Sequence, residues 1–142
     1  MFTFARRLLF AVAAFAGLAA SADFANAQAK PSKPTPVLQQ EFDAFMKTFR
    51  AAMKANDAAA VTAMTRLPFY FRDAKREAAE FRASAYPQYF TARNRACIQR
   101  GKGVYDRDGE NNDNFFIFCG QLIFVFTKTP TGFLFTEVGI ND

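Results

Sequence analysis

Three features of this 142-residue chain have residue types and spacings that could do chemistry: one carboxylate in an apolar strand, a pair of cysteines and an acidic loop. Glu137 sits between Thr136 and Val138 in an aromatic stretch. Facing a protein interior, a carboxylate among phenylalanines becomes a usable general base or acid. Tyr70 would then be its hydrogen-bonding partner, and Tyr70 or Arg72 could stabilise developing charge. Facing outward, Glu137 is an ordinary surface acid or the partner of a helix Arg or Lys, and this is the plainer expectation.

Cys97 and Cys119 are the only cysteines. Their separation excludes a CxxC redox motif, and with no His in the chain nothing obvious lowers a thiol pKa for catalysis. An even cysteine count in an exported chain favours a disulfide, which would tie the last helix to the sheet; two buried thiols are the alternative. Asp106, Asp108 and Glu110 alternate as calcium ligands do. However, glycine falls at the fourth position and Ile117 at the twelfth, where a calcium loop needs Gly at the sixth and Glu at the twelfth. An exposed connecting loop is the expectation. After Ala27 the only serines are Ser32 and Ser84, and neither has a nucleophile elbow or a Ser-x-x-Lys pattern around it. The absence of His also removes the commonest general base and metal ligand, and there is no Gly-rich phosphate loop. No cofactor and no metal are expected.

The first residues carry an address. Arg6 and Arg7 precede an uncharged apolar run from Leu8 to Ala20, and Ala25-Asn26-Ala27 supplies small residues where signal peptidase cuts. An apolar run of that length is shorter than the ~20 residues a membrane span needs. Residues 1–27 are therefore expected to be a signal peptide, which leaves a periplasmic or secreted chain with no membrane association after cleavage. Residues 28–36, with three prolines, read as a tether, and residues 37–142 as a single domain. The basic residues alternate with acids along helices rather than forming one stripe, which argues against a nucleic-acid partner.

The elements that must position these groups follow from periodicity. Phe42, Phe45, Phe49, Ala52 and Met53 form one apolar stripe on a helix from about 36 to 55, with Thr35 as N-cap and Asn56 as C-cap. Asp57 caps a second helix over about 58–65. Pro68 forces an extended segment over 67–71. A third helix is predicted over about 74–85, ended by Pro87, and helical character resumes over 88–99 until Gly101 and Gly103. Residues 104–106 begin a strand, 107–114 form a polar loop, and 114–138 form an aromatic hairpin that turns at Thr129-Pro130-Thr131-Gly132. The fold class is α+β, with N-terminal helices packed on a curved, mostly antiparallel sheet.

FDAFMKTFRAAMKANDAAAVTAMTRLPF (42–69), AEFRASAYPQYFT (79–91) and FFIFCGQLIFVFTKTPTGFLFTEVGIND (115–142) follow one another in an order that resembles the nuclear transport factor 2-like superfamily, in particular its small secreted bacterial members. The resemblance implies a cone whose wide end holds a pocket. Here that pocket would draw on Phe69, Tyr70, Arg72, Phe81, Phe90, Phe118, Phe124 and Glu137. Relatives of this fold include ketosteroid-isomerase-like enzymes, polyketide cyclases and noncatalytic binding modules, and a shared fold does not choose among them. The expectation is a noncatalytic exported domain that binds a small apolar ligand or a protein partner. The alternatives are a His-free acid–base enzyme using Glu137 and a homodimeric module that pairs through its sheet.

Overall fold

The computed structural model describes residues 33–141; the expected signal peptide and most of the tether lie outside them. Helix α1 runs Pro36–Ala55. The Thr35 hydroxyl accepts from the Leu38 N–H at 3.2 Å, and Asn56 closes the helix at φ 52°, both as the sequence predicts. Leu38, Phe42, Met46, Phe49, Ala52 and Met53 are buried. Phe45, predicted on this face, is only half-buried, and Met46 takes its place near the centre of the stripe. At 3.6 residues per turn the stripe 42–46–49–53 is centred away from position 45, which falls on its flank.

A short helix α2 (Ala58–Ala63) is capped by Asp57. The predicted third helix starts four residues late. Ala74–Arg76 is strand β2, paired antiparallel with β1 (Phe69–Phe71). The turn between them places Arg72 at φ 49° and Asp73 at φ 59°. Two consecutive left-handed residues make the tight hairpin turn usually signalled by Asn-Gly, so this one had no sequence mark. Helix α3 (Ala78–Glu80) then continues through a π-helical turn (Phe81–Ala85) into α4 (Tyr86–Tyr89). Pro87 lies in the first turn of α4 instead of ending a helix. Helix α5 spans Ala92–Arg100, with Thr91 as its cap.

The remaining strands are β3 (Val104–Arg107), β4 (Asp113–Cys119), β5 (Leu122–Thr129) and β6 (Gly132–Ile140). They form an antiparallel meander in the order β3-β4-β5-β6. The end of α2 is tied to β6, where Phe135 donates to the Met64 carbonyl and accepts from the Arg66 N–H, each at 2.8 Å. The core is aromatic and lies between α1 and the sheet. Phe42 stacks on Phe115 with ring centroids 3.8 Å apart, and Phe49 meets Phe126 edge-on at 5.1 Å. A Cβ on Gly103 would sit 2.5 Å from the Phe42 ring, so only glycine lets β3 begin beside that stack. Cys97 on α5 and Cys119 on β4 form the predicted disulfide, with Cα atoms 5.9 Å apart.

Candidate functional site

Glu137 is placed by a β-bulge. Phe133 and Phe135 face the helices, and simple alternation would send Glu137 the same way. Instead the β5–β6 register shifts between Val125 and Phe126. Phe126 opposes Phe135, Val125 opposes Glu137, and Phe124 opposes Val138. Thr136 is the extra residue. Val138 packs against the core in the place alternation would have given to Glu137, and Glu137 is exposed on the outer face.

The possible catalytic partners lie elsewhere. Tyr70 is exposed on β1. Arg72 donates to the Gln88 side chain and lies over the Phe71 ring. Neither lines the groove that contains Glu137. The eight residues expected to share a pocket do not converge. Phe69, Phe81, Phe90 and Phe124 are 0–1% exposed and pack among the core rings, with Phe69 on Phe81 at 5.1 Å and Phe90 on Phe124 at 5.5 Å. They are interior packing, not a chamber wall. Phe118 is exposed on the opposite face of the sheet.

Within the acidic loop Asp108 is held by its neighbours, whereas Asp106 and Glu110 are exposed. The Asp108 carboxylate accepts from the backbone N–H groups of Glu110 and Asn112, each at 2.9 Å, and from the side-chain amides of Asn112 and Asn114 at 2.9 and 3.1 Å. These bonds, led by the Asn112 side chain, hold its pKa down at about 2. Asp113 faces the helix side, where it accepts from the Tyr105 hydroxyl at 2.6 Å and pairs with Arg107 at 2.8 Å. Burial alone would raise the Asp113 pKa, but those two donors outweigh it and the net shift is downward. Tyr105 is raised in turn, by desolvation first and then by its bond to Asp113. Among the described residues no group of three His, Cys, Asp or Glu could hold a metal ion, and no helix is long and apolar enough to cross a membrane.

The homodimer alternative invoked the outer face of the sheet without naming its residues, and the structure supplies them. Cross-strand pairing sets Val104 beside Phe116, Phe116 beside Val125, and Phe118 beside Ile123. Val104 is 52% and Phe118 45% exposed, and Phe116 and Ile123 are half-buried. Beyond Phe116 and Val125 the face becomes polar, forming a groove of about 350 Å³ lined by Arg66, Asp108, Glu110, Asn114, Thr127 and Glu137 among others. Its floor is a buried chain in which the Thr127 hydroxyl bonds Asn114 at 2.7 Å and Thr136 at 2.9 Å. A signal for this face was present. NFFIFC and LIFVF are apolar at both parities, whereas a sheet with one wetted face alternates. No family model, curated protein or solved structure matches the chain.

Proposed function

We propose that this chain is an exported, noncatalytic domain with the cone-shaped nuclear transport factor 2-like fold, and that it binds a protein partner through the outer face of its sheet. The element order supports the fold: two helices, a small hairpin, a helical segment and a four-stranded meander joined to α2 at Phe135. The Cys97–Cys119 pair is compatible with an oxidising, exported location.

One observation carries the functional reading. The helix side of the sheet is filled by rings with almost no exposure, while Val104, Phe116, Phe118 and Ile123 form a contiguous apolar surface open to solvent. Apolar surface rimmed by polar groups marks an interaction site, whereas a ligand chamber would need a cavity on the filled side. The acid–base alternative loses its geometry with Glu137 on the outer face, away from Tyr70 and Arg72.

The test uses a host in which deleting the gene has a phenotype. Phe118→Asp, which charges the apolar surface without touching the core, is expected to fail to complement, and Tyr70→Phe, which removes the hydrogen-bonding group of the acid–base alternative away from that surface, is expected to complement. Loss of function in Tyr70→Phe with fold and stability intact would replace the binding reading with the enzymatic one.

A further inference from the structure

Resting on the reading of the outer sheet face as a docking surface, we infer that its occupant is a basic amphipathic protein segment, with apolar side chains seated on Phe116, Phe118 and Ile123 and cationic ones on the adjoining carboxylates. The chain's charge is sharply divided. Residues 33–102 hold thirteen bases against six acids, whereas residues 103–141, which build the sheet, hold five acids against two bases. Both bases are engaged off the outer face, Arg107 with Asp113 and Lys128 with Glu41.

Four of the five acids gather at the outer face. Asp106 is placed there by its pairing with Asn114, and Glu137 by its pairing with Val125; Asp108 and Glu110 line the same groove. Among the described residues, the only basic side chain lining that groove is Arg66. Phe116 belongs to both the groove and the apolar surface, so the two are continuous. An apolar surface edged by carboxylates, on a molecule basic elsewhere, complements a segment that alternates apolar and cationic side chains. It repels an acidic segment and an anionic lipid surface. It also disfavours a second copy, because face-to-face pairing crowds like charges at the rim.

The experiment measures fluorescence anisotropy of two labelled peptides of equal length, one of alternating Leu and Lys and one of alternating Leu and Glu, with the disulfide-bonded protein. The Leu/Lys peptide is expected to bind at least about tenfold more tightly, and to weaken by about tenfold between roughly 0.05 and 0.3 M salt. Glu137→Lys should weaken that binding about tenfold by reversing one rim charge. Phe118→Ser and Val104→Ser should weaken it at unchanged melting temperature. Equal binding of both peptides, salt-independent binding, or no binding of Leu/Lys would overturn the inference. Concentration-dependent self-association lost in Phe118→Ser would overturn it in favour of a second copy. These results are separable from the broader reading: if Phe118→Asp fails to complement but Leu/Lys does not bind, only the basic occupant is wrong.

Discussion

Phe49 and Phe45 differ by one helical turn and by a large fraction of their burial. Phe49 is fully buried, with the rings of Phe90, Phe126 and Phe135 centred 5.1–6.2 Å away. Truncation to Ala leaves a cavity that neighbouring rigid rings cannot fill, so Phe49→Ala should lower unfolding stability by about 3–5 kcal/mol. Phe45→Ala removes a half-exposed ring and should cost less than half as much; urea unfolding of both variants checks the order. Asp108 makes a second residue-scale prediction. Its pKa falls from the ordinary 3.8 to about 2 in the folded chain. The stabilisation it brings is therefore complete above its unfolded value and is lost as pH drops from about 4 to about 2. Across that window the melting temperature of the native protein should fall more steeply than that of Asp108→Asn. Parallel curves would show that the loop bonds do not discriminate the ionised carboxylate.

At the scale of elements, the Cys97–Cys119 bond joins α5 to β4 across 22 residues. Closing a loop of that length contributes about 3 kcal/mol in the chain-entropy picture. Helix α5 has a second tie, to α1, because Arg50 donates to the carbonyls of Ile98 and Gly101 while Gln99 donates to the Arg50 carbonyl. The paired Cys97→Ala, Cys119→Ala variant should therefore remain folded but unfold at lower urea, with α5 amides exchanging faster than those of β5. Uniform exchange in both elements would mean that α5 is held by its other contacts alone. The β6 bulge is the other decisive element. By inserting Thr136 it moves Glu137 across the sheet and brings Val138 to the core.

For the whole molecule, the division of charge and the two-sided apolar sheet give the chain a helical, basic part and an acidic sheet face. The N-terminal arginines, the short apolar run and Ala25-Asn26-Ala27 predict that the exported protein begins at Gln28. Intact-mass measurement of the periplasmic or secreted fraction checks this, and a soluble exported form that retains Met1 would contradict it.

The sequence by itself determined what local chemistry controls. It contained the α1 boundaries, because Thr35 and Asn56 are strong caps around a clear 3.6-residue period, and it contained the turn at Thr129–Gly132 through its proline and glycine. It also implied the cysteine pairing, since two cysteines behind a signal-like N-terminus have one disulfide available to them. Tertiary structure decided the rest. The β1–β2 turn uses Arg72 and Asp73 in conformations their types do not announce, so residues 74–76 joined a hairpin where helix propensity pointed the other way. Whether the aromatic rings would line a chamber or fill it depended on the distance between α1 and the sheet, which no period encodes. The fate of Glu137 turned on a single extra residue. A strand's side chains alternate with period two, so one bulge reverses every assignment after it, and bulges are set by the pairing of two strands rather than by the sequence of either.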